Sequence, residues 1–300
     1  VRYYLHRLWL ILVFLLPVLT SQATPSQDGV THIPLKRAGN LFLIEAQVDS
    51  LRGNFILDLG APYIVLNSTY FRNYVIDTNY RAGTLTSESD FVRRTKIEQF
   101  VVQDIRLEHL DADVADLAHI ENQRQVRILG LIGISFFKDY IMEMDLSRQQ
   151  LILHQNRSTS KITAPPLFRS PLKMQDDVLW ISAKFQGKKL RFSLDTGAEL
   201  NIIDSELPDK VYDGLDLLET KTVRGTNGAA AQVLLVLLPR LEINGFTLQD
   251  MRTLVVKMQT MSRAYGKNIH GMLGFPFFSQ GRFVIDFKNK ELEMYPSYER

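Results

Sequence analysis

Apolar residues recur along this chain in short stretches of strand length, separated by small clusters of glycine, asparagine, aspartate and lysine. Leu41 to Val48 and Val178 to Phe185 alternate or run apolar over eight positions each, a β pattern. Asp49-Ser-Leu-Arg-Gly53 and Gln186-Gly-Lys-Lys189 are expected to turn the chain into further strands at Asn54–Leu57 and Leu190–Leu194. Val233 to Ile243, followed by Asn244-Gly245, reads as a strand entering a hairpin turn. Pro239 within it marks an edge position or a bulge, because proline cannot donate to a ladder. Arg282 to Asp286 forms an apolar closing strand. Short helices are expected near Ser68–Tyr74, at Ser205–Asp213 and after each Phe-Phe pair. The pattern predicts an all-β fold with minor helix.

The pattern also repeats. Pro34, Leu35, Lys36, Ala46, Phe55, Leu57, Asp58, Gly60 and Ala61 match Pro171, Leu172, Lys173, Ala183, Phe192, Leu194, Asp195, Gly197 and Ala198 at a constant offset of 137, without a gap. A second block aligns at an offset of 141. Gly130-Leu-Ile-Gly133 meets Gly271-Met-Leu-Gly274, Phe136-Phe137 meets Phe277-Phe278, Asp145 meets Asp286 and Leu151 meets Leu292. The period is far longer than that of a solenoid, so the repeat is a duplicated domain. Arg157 to Pro166, rich in Ser, Thr and Pro, is the natural linker. Residues 24–156 and 167–300 are then the two halves.

The first 23 residues read separately. Arg2, His6 and Arg7 precede an apolar run from Leu8 to Leu19, and Ser21-Gln22-Ala23 supplies small residues at the cleavage positions of a secretory signal. About 12 apolar residues are short for a membrane span of ~20, so cleavage after Ala23, export to the periplasm or outside the cell, and no membrane insertion afterwards are expected. Val1 fits a non-ATG start codon translated literally, which points to a bacterial gene. The segment carries two of the 35 basic residues and none of the 33 acidic ones, leaving 33 of each. A balance near zero gives no reason to expect nucleic acid or an anionic membrane as partner. The chain has no cysteine, which excludes thiol catalysis, disulfides and cysteine-ligated zinc.

Phe192-Ser-Leu-Asp195-Thr-Gly-Ala198 places a carboxylate at the end of an apolar strand, before a glycine turn, and Asp58 follows the same Phe-x-Leu. A lone Asp near Gly is usually an ordinary turn; its recurrence in the duplicate is the informative part. Asp195-Thr-Gly-Ala198, then Asn201-Ile-Ile-Asp204 and Gly271-Met-Leu-Gly274, resembles the retropepsin-like aspartic peptidases. The first half repeats the set as Asp58-Leu-Gly-Ala61, Ile64-Val-Leu-Asn67 and Gly130-Leu-Ile-Gly133. The likeness spans nearly the whole chain after the leader and corresponds to the bacterial-type form with both halves in one chain.

That resemblance implies a two-lobed acid-protease fold with a pseudo-twofold axis, a polypeptide substrate, no cofactor or metal, and a monomer. It implies Asp58 and Asp195 as the catalytic pair, one per lobe. Gly60, Ala61, Thr196, Gly197 and Ala198 would support their loops. Two carboxylates held ~3 Å apart cannot both ionise, so they share a proton and can act as base and acid on a water and an amide. Flaps over the cleft are expected at Gly225, Thr226, Asn227 and Gly228 and, in the first half, at about Gly83 to Phe91. Two residues depart from the family pattern. Leu59 stands where the family has Thr or Ser, whose hydroxyl helps lock the two loops together, and Pro62 removes a backbone donor. These departures motivate one alternative, a peptide-binding protein of the cell envelope that has lost hydrolysis; a third reading is a structural envelope protein without a functional cleft. His109, Asp111, Asp113, Asp116 and His119 fit no metal spacing and read as an acidic, solvated segment between strands. Asn67-Ser-Thr69 and Asn156-Arg-Ser158 are glycosylation sequons.

Overall fold

A computed structural model of the chain describes residues 29–74, 77–82, 90–160, 162–224, 230–259 and 268–297. The expected leader and both expected flap tips lie outside the described residues. The first half contributes β1 (Val30–Pro34), β2 (Lys36–Ala38), β3 (Leu41–Val48), β4 (Leu51–Leu57), β5 (Val65–Asn67) and β6 (Asp77–Ala82). It continues with β7 (Asp90–Val102), β8 (Ile105–Ala115), helix α1 (Ala118–Arg124), β9 (Ile128–Ile132), helix α2 (Ile134–Phe137), β10 (Ile141–Asp145) and β11 (Gln150–His154). The second half supplies β12 (Phe168–Pro171), β13 (Lys173–Gln175), β14 (Val178–Phe185), β15 (Lys188–Leu194), β16 (Asn201–Asp204) and β17 (Asp216–Arg224). Then follow β18 (Ala230–Ile243), β19 (Phe246–Val256), β20 (Gly271–Leu273), helix α3 (Phe275–Phe278), β21 (Arg282–Asp286) and β22 (Glu291–Tyr295).

Two eight-stranded sheets repeat one topology. In the first half the order is β2-β3-β4-β9-β5-β8-β7-β6, and in the second β13-β14-β15-β20-β16-β19-β18-β17. Extra pairings, β3 to β7 and β14 to β18, curl each sheet back on itself into a barrel-like lobe. The fold is the two-lobed, mostly β architecture of acid proteases. Alternation drives it: along β14 one face (Leu179, Ile181, Ala183, Phe185) is buried while the other stays wholly or partly exposed.

A third sheet joins the lobes. Its six strands run β1-β11-β10-β21-β22-β12, three from each half. At its centre β10 pairs antiparallel with β21, Ile141 opposite Asp286 and Glu143 opposite Val284. Under the offset of 141, Glu143 and Val284 are equivalent residues, so the pseudo-twofold axis passes between them. Every residue of β10 and β21 is buried, because both faces are covered. Met142, Met144, Phe283 and Ile285 meet the main core on one face, whereas Ile141, Val284 and Tyr295 pack with Ile162 on the other.

Several local expectations need correction. Ser68 to Tyr74 is a run of turns, held by Tyr70 N–H donating to the Asn67 carbonyl at 3.0 Å rather than by a continuing helix. In Ser205–Asp213 the helical part is a single 3₁₀ turn, Asp209–Val211. The other two short helices end on the Phe-Phe pairs instead of following them, since those phenylalanines are the side chains that anchor the helices in the core. Both hairpin turns are shorter than expected: β4 starts at Leu51 and β15 at Lys188, because Asp49 and Gln186-Gly187 reverse the chain with positive φ. Pro239 is at an edge, since β17 pairs with β18 only as far as Leu237. Finally, Ile105–Ala115 is strand β8 itself and not a segment between strands. There His109, Asp111 and Asp113 pair with Glu98, Lys96 and Arg94 of neighbouring β7.

Candidate active site

The ends of β4 and β15 bring Asp58 and Asp195 face to face. Each strand runs parallel to the apolar-apolar-Gly strand of its own half, β4 to β9 and β15 to β20. Asp58 N–H donates to the Ile132 carbonyl and Asp195 N–H to the Leu273 carbonyl, both at 3.0 Å. Both loops therefore leave their sheets at the same place. The glycines that close the motif are required by close packing. A Cβ on Gly133 would lie 2.2 Å from the Tyr63 carbonyl oxygen, and one on Gly274 would lie 2.4 Å from that of Ala198.

Each carboxylate is held by its own loop and touches the other loop. Gly60 N–H donates to Asp58 Oδ1 and Gly197 N–H to Asp195 Oδ1, both at 2.8 Å. Across the axis, a Cβ on Gly60 would lie 2.6 Å from Asp195 Cγ, and one on Gly197 would lie 2.7 Å from Asp58 Cγ. Glycine is what lets each loop approach the opposite carboxylate. The two carboxyl groups are hydrogen-bonded to each other.

Both acids are shifted upward. Burial is the leading cause for Asp58, opposed by its hydrogen bond to Asp195 and by the amides of Gly60 and Ala61. For Asp195 burial again leads, the charge and hydrogen bond of Asp58 add to it, and its pKa lies well above the ordinary carboxylate value. The direction belongs to the pair: it retains one proton where isolated aspartates would both be ionised.

The loops differ in how they are locked. Thr196 is fully buried; its hydroxyl donates to the Leu57 carbonyl at 2.8 Å and accepts from Leu59 N–H at 3.0 Å. Leu59 has no hydroxyl to return the contact and packs into the main core instead, 1% exposed. The lock has one half, supplied by Thr196. Pro62 disturbs little: its carbonyl accepts from Ser135 N–H at 3.1 Å, and Ala61 and Ala198 accept alike from Ile134 and Phe275.

Three further contacts brace the loops beyond those expected from the sequence. Arg124 of α1 reaches across to Glu199, at the position equivalent to Pro62, and forms a short ion pair beside the second loop. Asn40 of the first half also donates to the Glu199 carbonyl at 3.2 Å. No local signal marks this bridge, since its partners are 75 residues apart. Asn201 Oδ1 accepts from Gly274 N–H at 2.8 Å and ties β16 to the glycine turn; the sign was a polar residue where the first half has Ile64. The expected flap residues 225–228 lie outside the described residues, but β17 and β18 pair up to Arg224 and Ala230 on either side of them. The first-half counterpart is flanked likewise by β6 and β7, paired at Ala82 and Asp90.

Comparison with known proteins agrees with this geometry. A family profile described as Aspartyl protease matches twice, at residues 44–136 and 181–277. A search of curated protein sequences returns no match. Among solved structures, the chain is similar to an aspartic proteinase from Irpex lacteus. The TM-score is 0.54 and the identity 13%, over 89% of this chain and 97% of that one; at that identity the likeness concerns the fold. With the profile matching both halves around the paired aspartates, the chain belongs to the aspartyl protease family.

Proposed function

We propose that this protein is an aspartic endopeptidase in which Asp58 and Asp195 share one proton and hydrolyse peptide bonds through a bound water. The observation that carries this reading is the reciprocal contact of the two loops, each glycine against the opposite carboxylate. In the singly protonated pair, the ionised carboxylate draws a proton from water as it attacks the substrate carbonyl. The protonated partner hydrogen-bonds the carbonyl oxygen as charge develops there. Collapse of the tetrahedral species expels the amine, which takes a proton from the dyad. Asp58→Asn and Asp195→Asn should each lower kcat on an unfolded protein substrate by at least about 10³-fold, with the fold retained by circular dichroism. Near-parental cleavage by both variants would remove the dyad from the mechanism.

A second reading is favoured by the half-lock at Leu59: a peptide-binding protein with impaired hydrolysis. Turnover that pepstatin abolishes, at acidic to neutral pH, supports the peptidase; pepstatin binding with no turnover supports the binder. The proposal includes export with cleavage after Ala23 and a monomeric state, since one chain supplies both aspartates. N-terminal mass analysis of the secreted product and sedimentation test these two points.

A further inference from the structure

The second lobe carries a cavity of about 950 Å³, lined by Lys173, Trp180, Ser182, Lys184, Lys189 and Arg191 among others. The duplication supplies its meaning. Lys173, Ser182 and Lys189 are equivalent to Lys36, Glu45 and Arg52 of the first lobe, in the same strand register. In the first lobe Glu45 bridges both cations, at 2.9 Å to Lys36 and 2.5 Å to Arg52. In the second lobe the carboxylate is replaced by the hydroxyl of Ser182, and Lys173 and Lys189 form no ion pair with the described residues. Arg191 stands beside them, stacked on Trp180 with its Cζ 5.4 Å from the ring centre. Among the lining residues Glu242 is the acid, and Lys184 holds it at 3.1 Å. His270 adds no charge at neutral pH, because burial and Arg191 push its pKa down. The face therefore has three cations in excess around a space that its twin fills with a carboxylate.

We infer that this cavity is an exosite for an acidic segment of a polypeptide, whose carboxylate takes the place between Lys173 and Lys189 that Glu45 takes between Lys36 and Arg52. Trp180 links the groove to the dyad loop: it pairs with Ser193, two residues before Asp195, and packs against the Met258, Ile269 and Met272 cluster that Ala198 also flanks. Arg191 and Lys189 lie four and six residues up β15 from Asp195, roughly 13 and 20 Å at ~3.3 Å per residue. An extended substrate covers the same distance per residue. Resting on the peptidase reading, the inference assigns the exosite to acidic side chains about four to six positions from the scissile bond.

Binding is measured apart from cleavage, by fluorescence anisotropy of a labelled Glu-rich peptide and its Gln-for-Glu counterpart on the Asp195→Asn protein. The acidic peptide should bind about tenfold more tightly, with the difference fading as salt rises. Adding Ser182→Glu, which rebuilds the internal carboxylate of the first lobe, should abolish the difference, as should Lys173→Gln with Lys189→Gln. Equal binding of the two peptides, or an unchanged preference in Ser182→Glu, overturns the exosite. A sulfated oligosaccharide that binds more tightly than the acidic peptide, and is lost in Ser182→Glu, overturns its assignment to polypeptide. On the Asp195-containing protein, kcat/KM for substrates acidic at those positions should exceed that for neutral ones, and Ser182→Glu should bring the ratio towards one. Failure of the dyad would silence this arm while leaving the anisotropy result standing.

Discussion

Thr196 supplies the one hydroxyl that ties the catalytic loops across the axis, so its loss should be felt more than its size suggests. Thr196→Val keeps the shape but leaves the Leu57 carbonyl and the Leu59 amide buried without partners, about 1–3 kcal/mol for each. Denaturant unfolding should show that loss, and Thr196→Ser should recover most of it. The aspartates act on stability in the opposite sense. Their pKa values are raised on folding, so the stability of the ionisable pair is fully present below the ordinary value of 3.8 and is lost as pH rises through the raised value. The Asp195→Asn protein should therefore be more stable than the parent at neutral pH, with the gap closing towards pH 4 in thermal melts. Activity should fall on the alkaline side as the shared proton is lost.

Much of this residue-level site was legible in the sequence because duplication doubles each signal. Asp58 and Asp195 stood out as a repeated strand-end acid, and Leu59 as the departure at the lock. Arg124 and Glu199 did not, since an ion pair between a helix end and a distant loop leaves no periodicity. The emptiness opposite Ser182 was equally hidden until the register equated it with Glu45.

At the scale of elements, the apolar-apolar-Gly strands act as rigid stops behind the two loops. Gly274→Ala would force a methyl into the Ala198 carbonyl and displace the loop bearing Asp195. A cost of about 1–3 kcal/mol is expected for such overpacking, together with a loss of kcat larger than that of Gly214→Ala, a turn variant strained by its φ of +74° but with nothing within 4 Å of the added Cβ. Strand existence follows from alternation, whereas the helix expected near Ser68–Tyr74 does not form. There Asn67 Oδ1 accepts the Thr69 and Leu117 amides and Asn67 Nδ2 reaches the Ile128 carbonyl, tertiary bonds that outweigh local helical preference.

For the whole molecule, the shared sheet binds the lobes more firmly than a linker could. Three strands from each half meet at the axis through the β10–β21 pair, so neither half has the whole sheet. Calorimetry should show one cooperative transition rather than two. Arg282→Met should lower it, because Arg282 lies 3.4 Å from Glu143, both groups are buried, and Glu143 would be left to His154. Breaking such a pair costs about 3–5 kcal/mol.

The pairing of Glu143 with Val284 on the axis has an ancestral meaning. A homodimer must place identical residues at that point. Two first halves would oppose glutamate to glutamate at the sheet centre and leucine to leucine at the loops, with no hydroxyl on either side. Two second halves would set valine against valine and carry a threonine on each loop. The second half still meets the terms of a symmetric ancestor; the first has become a specialist that depends on being joined to it.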